Sequence, residues 1–425
     1  MAELPLNWIE CELEKVVKLS SGGTPKSSNK KYYEGGTIPW LIIADLNDGY
    51  IEKAKTNITE LGLRESSAKI VPLGAILIAM YGSIGKLGIA NISCATNQAI
   101  AFTEKIDLNL DNKFLYYYLF SIKSYLASLG KGGAQQNISQ TVLKKIPILL
   151  PPLNEQKRIV EKLDKMIRIV DDVNSRLNKI PTALKRARQS ILNQAITGEL
   201  TKDWREKNNI KYTWKETSLK SIVLTYKNGL SKRSGKEGKA TVVLRLADLC
   251  NHKIIKDNIR EIKITDNEAK QYKLDYNDIL IIRVNGSEDI VGRFILYDLN
   301  ENWIYCDHLI RLKYDKTIIE PYYLFYYAQT NVVREYIKAN VVSSAGQNTI
   351  NQKTLDNMPL LLPPIEEQAE IVRRVKLAFE KLDKIESRYQ KAKEYSDKLT
   401  QSILNKAFRG ELVPQDPNDK PLEII

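Results

Sequence analysis

Two loops gather the residue types that can do chemistry on a phosphate. One is Ser20-Ser21-Gly22-Gly23-Thr24-Pro25-Lys26-Ser27-Ser28-Asn29-Lys30-Lys31; the other is Asn228-Gly229-Leu230-Ser231-Lys232-Arg233-Ser234-Gly235-Lys236-Glu237-Gly238-Lys239. Glycine bares backbone amides, and the Lys and Ser side chains beside them suit the phosphate contacts that set a protein's register on DNA. Thr24, Lys26, Ser27, Lys30 and Lys31 are the candidate contacts of the first loop; Lys232, Arg233, Lys236 and Lys239 are those of the second. Lys86, Gln135, Arg283 and Arg293 complete the set. Taken singly, each loop reads equally well as a solvated surface turn.

Catalytic constellations are missing. No G-x-x-x-x-G-K-[ST] phosphate loop occurs: Gly229 and Gly235-Lys236 stand one residue too far apart, and Glu237 replaces Ser or Thr. Gly82, Gly85 and Gly88 are spaced by threes and do not form G-x-G-x-x-G. The pairs Pro151-Pro152 and Pro363-Pro364 lack the preceding Asn or Asp and the following aromatic of the amino-methylating N-P-P-[FY] motif. Only two histidines exist, His252 and His308, and His308 aligns with Gln98 when the two halves are superposed in sequence. No repeated base or ligand survives. The expectation is a chain without catalysis, metal or cofactor of its own.

Composition agrees with a nucleic-acid partner without requiring one. The 425 residues carry 64 Lys plus Arg against 51 Asp plus Glu, a net charge of +13. Residues 1–154 hold 16 basic side chains against 13 acidic and residues 213–362 hold 22 against 18, so no single tail concentrates the excess. Cys11, Cys94, Cys250 and Cys306 are scattered, with no C-x-x-C, so neither disulfide framework nor zinc ribbon is expected. The longest apolar run, Ile76–Tyr81, is far short of the ~20 residues that span a bilayer. The start lacks a secretory pattern, which points to the cytoplasm.

What must position the loops is a tandem duplication. Residues 151–200 align with 363–412 at a constant offset of 212, without a gap, with 19 identities in 50. Pro-Pro-x-x-Glu-Gln opens both segments, Gln-Ser-Ile-Leu-Asn recurs near both ends, and Gly-Glu-Leu closes both. Upstream the echo weakens: Trp8 with Trp214, Ala44-Asp45-Leu46 with Ala247-Asp248-Leu249, Gly82-Ser83 with Gly286-Ser287, Leu115-Tyr116 with Leu324-Phe325. Two mixed globular parts, each followed by one near-constant segment, result.

Both near-constant segments predict helix. Ile159, Leu163, Met166, Val170, Val173, Leu177, Ile180, Leu184, Ala187 and Ile191 recur at steps of four and three. So do Ile371, Val375, Ala378, Leu382, Ile385, Tyr389, Ala392, Ser396, Leu399 and Ile403. A 3.5-residue period predicts a coiled-coil seam. Gly198 and Gly410 stand where glycine caps are expected, and Pro181 should kink or break the first helix. The 12-residue linker favours antiparallel pairing, which needs no return of the chain. The fold class is therefore α/β (α+β): two tandem globular domains separated by two long helices in an antiparallel coiled coil, related by a pseudo-two-fold axis. Its divisions are 1–154, first globular domain; 155–200, first spacer helix; 201–212, linker; 213–362, second globular domain; 363–412, second spacer helix; 413–425, tail. Within the globular parts, Ile76–Ala79 and Ile279–Ile282 read as buried strands. The Tyr-rich runs 114–119 and 322–327 read as helices packed in a core.

The chain resembles the specificity subunit of type I restriction-modification enzymes over nearly its whole length. The resemblance rests on Gly22-Gly23-Thr24-Pro25, Ile38-Pro39-Trp40 with Asp45, Gly82-Ser83-Ile84-Gly85-Lys86, Thr96-Asn97-Gln98 and Gln135-Gln136-Asn137-Ile138-Ser139, in that order. The Leu-Pro-Pro-x-x-Glu-Gln start and the Arg188-Gln189-Ser190-Ile191-Leu192 end of the helix add to it. The second half departs: Gly-Gly-Thr-Pro is lost around 227–238, and Thr-Asn-Gln becomes Cys306-Asp307-His308. The resemblance implies a non-catalytic subunit whose halves each read one part of a bipartite, asymmetric target in double-stranded DNA. The helices would act as spacer. Two modification subunits would bind S-adenosylmethionine, and restriction/translocase subunits would use ATP and Mg. Two other classes fit the residues alone: a DNA methyltransferase with an unfamiliar site, and a DNA-binding or scaffold protein outside any restriction system.

Overall fold

The computed structural model describes residues 5–422 apart from 6, 131–135, 212, 236 and 345. The chain forms two compact units, residues 1–178 with 391–425 and residues 179–390. Each unit thus owns one globular part and pieces of two different long helices, a partition that cuts across the sequential division above.

In the first unit a five-stranded sheet runs in the order Val17–Ser21, Ile100–Ile106, Ile76–Ala79, Leu87–Ala90, Tyr50–Ile51. A four-stranded sheet, Thr56–Ile58, Ile38–Leu41, Cys94–Thr96, Ile70–Val71, lies in the same unit. Ile76–Ala79 and Leu87–Ala90 are buried at every residue, which is why they read as unbroken apolar runs. The second unit has a four-stranded sheet, Val223–Asn228, Leu309–Tyr314, Asp278–Ile282, Phe294–Tyr297. Beside it stands a three-stranded sheet, Glu261–Ile264, Lys239–Leu244, Ile304–Tyr305. The Tyr-rich helices Asn112–Ser121 and Pro321–Tyr327 line the two cores. Their hydroxyls end on fixed acceptors: Tyr116 on Asp48 O, Tyr117 on Asp164 Oδ1 and Tyr118 on Pro147 O in the first unit, and Tyr323 on Leu361 O in the second. They are core residues.

The spacer consists of α1 (Leu153–Leu177), α2 (Ile180–Ile196) and α3 (Ile365–Ala407). The first helix is broken between Asn178 and Lys179, just ahead of Pro181, where the ring removes an amide donor and crowds the preceding turn. α3, with Lys393 at the equivalent place, runs on for 43 residues, ~65 Å at 1.5 Å per residue. Gly198 and Gly410 follow the helices at φ of +74° and +75°, the left-handed caps expected of them.

Antiparallel pairing is seen inside each unit separately. In the first, Ile159, Val160, Leu163 and Val170 of α1 share a core with Ile403, Leu404 and Ala407 from the end of α3 and with Phe408 just past it. In the second, Leu192 and Ala195 of α2 share a core with Ile371, Val372 and Val375 from its start. The seam itself needs correction. Val173, Ile385 and Leu399 are 43%, 46% and 46% exposed, while Leu192, Ala195, Leu404 and Ala407, off the 3.5-residue series, are buried. Burial along the stripes is confined to the helix segments that pack on a globular core, Ile159–Val170 and Ser396–Ala407 in the first unit and Leu184–Ala195 and Ile371–Val375 in the second.

The 201–212 linker is also folded where described. Residues 199–201 and 202–207 form short helices, and buried Arg205 pairs with buried Glu367 and donates to Gly198 O.

The duplicated Glu-Gln pair explains how each helix is fixed to its globular part. Glu155 accepts from the Trp8 indole at 3.1 Å, and Glu367 from the Trp214 indole at 2.8 Å. Burial raises the Glu155 carboxyl above its ordinary range, against the Trp8 hydrogen bond that lowers it. Gln156 accepts from Asp111 N and donates to Asn109 O and Pro151 O; Gln368 accepts from Glu320 N and donates to Ile318 O and Pro363 O. Asp111 and Glu320 in turn cap the Tyr-rich helices.

Candidate nucleic-acid interface

In the first unit the glycines of the loop are demanded by contact. A Cβ on Gly22 would lie 1.8 Å from Thr96 O, and one on Gly23 would lie 2.0 Å from Ser67 Oγ. The Gly23 amide donates to Thr96 O at 2.9 Å, the Trp40 indole donates to Gly23 O at 3.1 Å, and the Tyr33 hydroxyl donates to Pro25 O at 2.5 Å. The Thr24 hydroxyl donates to Gln98 Oε1 at 2.5 Å. Asn29 then caps a short turn by accepting from Lys31 N. The result is a pinned backbone from which Lys26, Ser27, Lys30 and Lys31 project into solvent. Only Lys30 has a carboxylate within reach among the described residues, Glu34 at 3.8 Å, both exposed. Lys86 is half-buried at the rim of a ~370 Å³ depression that also holds Ser83, Lys123 and Gln136. Lys123 there is spent on Asp48 at 2.5 Å. Gln135 lies outside the described residues.

The second unit builds a related crossing with different side chains and with backbone partners shifted by one residue. A Cβ on Gly229 would lie 2.2 Å from Cys306 O, Leu230 N donates to Tyr305 O, and Asp307 N donates to Leu230 O. The Ser231 hydroxyl donates to Asp307 Oδ2 at 2.9 Å. The hydroxyl at this place thus bonds one position earlier than in the first unit: Thr24 meets Gln98, whereas Ser231 meets Asp307, the counterpart of Asn97. Here the basic candidates are mostly engaged. Lys232 pairs with Glu268 at 3.2 Å and Lys239 faces Asp266 at 3.9 Å. Arg283 donates through Nε to Asp307 O, and Arg293 through Nε to Asp289 O. Arg233 is exposed, and Lys236 lies outside the described residues.

Residues that the sequence reading passed over stand beside this loop. A ~380 Å³ pocket is lined by Lys232, Arg233, Arg245, Arg260, Asp307 and His308, among others. Arg245 is held by Asp248 at 2.7 Å, and Arg260 donates to Arg233 O. The Ala-Asp-Leu echo was the available signal: Asp45 and Asp248 each close a short turn by accepting the amide three residues back, from Ile42 and Arg245. The sequence marks the turn but not what its first residue faces. Among the described residues, Cys306, Asp307 and His308 form the one group with ligand atoms within 4.8 Å of one another. Its chemistry does not suit a cation: burial pushes the Cys306 thiol up, away from the thiolate a metal needs, and arginines crowd the same pocket. No helix among the described residues is long and apolar enough to cross a membrane.

Two pinned loops of glycine, hydroxyl and cation, repeated on a duplicated helical frame, define a tandem sequence-reading protein. Known proteins give that class its family. The family model for the type I restriction modification DNA specificity domain matches residues 5–182 and again 211–394. The type I restriction enzyme StySPI specificity subunit of Salmonella potsdam is 35% identical over 99% of this chain and 92% of its own length. The EcoKI specificity subunit of Escherichia coli K12 is 30% identical over the same shares. Among solved structures, a chain from a type I R-M system studied for complex assembly and conformational transition superposes with a TM-score of 0.72 over 97% of this chain and all of that one, at 20% identity. The HsdS subunit of Thermoanaerobacter tengcongensis gives 0.57 over 96% and 98%, also at 20% identity, a likeness of fold. The chain belongs to the type I restriction-modification specificity family, a class of non-catalytic DNA sequence-recognition subunits.

Proposed function

We propose that each globular half reads one part of a bipartite, asymmetric sequence in double-stranded DNA, with the paired helices as the spacer between the two readings. The observation that carries this is the duplicated crossing of glycine loop and strand, pinned by different side chains in the two halves, Thr24–Gln98 against Ser231–Asp307. A reader that must recognise two different half-sites needs a constant frame and divergent tips, because bases are told apart by side chains in the grooves. Chemistry would come from partners: two modification subunits binding S-adenosylmethionine, and restriction/translocase subunits using ATP and Mg, in the cytoplasm. Sequencing methylated bases in host cells with and without this gene tests the proposal. One bipartite motif should vanish with the gene; an unchanged methylation pattern would contradict it.

A further inference from the structure

The pocket of the second unit is cationic at its rim and acceptor-rich at one point. Arg233, Arg245 and Arg260 line it together with Lys232. A surface that meets phosphate gains from such charges. A carboxylate in their midst opposes an approaching polyanion, yet Asp307 sits there with its side chain 35% exposed beside His308 at 41%. The carboxylate is held in place rather than neutralised. Ser231 Oγ donates to Oδ2 at 2.9 Å, His308 Nδ1 lies 3.2 Å from Oδ1, and Arg283 Nε fixes the Asp307 carbonyl. With the proton on Nδ1 toward Oδ1, His308 presents Nε2 as a further acceptor. Each Asp307 oxygen keeps a free lone pair. The corresponding residue of the first unit, Asn97, instead turns its Oδ1 onto its own loop at Ala99 N.

Resting on the reading of each half as a DNA reader, we infer that Asp307 is a specificity-determining residue of the second half. It accepts a hydrogen bond from an exocyclic amine in the major groove, with cytosine N4 as the preferred donor. Carboxylates suit that amine, whereas Asn pairs bidentately with adenine through N6 and N7. Ser231 is its positioning residue, and the arginines take the flanking phosphates.

The test is Asp307→Asn in the full chain, co-expressed with its modification subunit, with the methylated motif read by sequencing. Asn retains the acceptor for Ser231, so the loop stays pinned. One position of the second half-site should change from cytosine to adenine while the first half-site stays as in the wild type. An unaltered motif at full methylation would overturn the inference and leave the two-reader proposal standing. If methylation is lost, binding of the assembled variant to duplexes substituted base by base in the second half-site decides. A preference changed at one position by tenfold or more upholds the role; an equal loss for all duplexes overturns it. Ser231→Ala should blur the choice at that same position alone. Blurring across the whole half-site would overturn its positioning role.

Discussion

At the scale of residues, the most repeated feature is mechanical rather than chemical. The Glu-Gln pair at the head of each long helix recurs because each side chain closes a buried polar account: Glu155 and Glu367 for an indole, Gln156 and Gln368 for one amide and two carbonyls. Replacing Gln368 by Ala leaves Glu320 N and the carbonyls of Ile318 and Pro363 without their partner. Buried groups so orphaned cost roughly 1–3 kcal/mol each in the worst case. The variant should lose about 2–4 kcal/mol of stability by denaturant unfolding, and Gln368→Glu, which keeps the acceptor but turns a buried carboxylate onto two carbonyls, should lose no less. Equal stability of the Ala variant would show that water replaces the side chain freely. The sequence displayed this pair twice at one offset, yet nothing in it said which groups the pair satisfies, because apart from the two Pro carbonyls these lie 45 to 153 residues away, in loops of no fixed spacing.

At the scale of elements, helices were legible and loop charges were not. Length, glycine caps and the proline break followed from local rules acting within a few residues. The heptad did not carry through, because burial follows contact with the globular cores rather than the period alone: Val173 and Ile385 lie on the series but between the packed segments, and are exposed. Likewise, a count of lysines could not tell which are already paired: Glu268, which holds the half-buried Lys232, sits on a helix remote in sequence. The first loop is therefore the better electrostatic target. Replacing Lys26, Lys30 and Lys31 by Ala should weaken binding of the assembled enzyme to its target. Each lost phosphate contact should also flatten the slope of log affinity against log salt by about 0.9. Titration across about 50–200 mM salt measures this. A slope equal to the wild type would mean that the loop only faces solvent.

At the scale of the molecule, the central claim is that this chain is one reader used twice, with its tips diverged. Architecture was visible in sequence because the repeated segment aligns without a gap. The candidate contact surface was not, because the upstream offset drifts between halves and the candidate reading side chains lie on those drifting loops. The end of α3 that packs on α1 has a near copy already present in α2: Ile403, Leu404 and Ala407 correspond to Ile191, Leu192 and Ala195, and buried Ser396 to Leu184. Two copies of residues 1–200 can thus pair antiparallel with almost the same buried side chains, turning the duplication into a true two-fold. The most direct measurement co-expresses this fragment with the modification subunit and sequences the methylated motif. The account predicts an inverted repeat of the first half-site, read by the same domain on both sides. Methylation by the fragment at the original asymmetric target would contradict it.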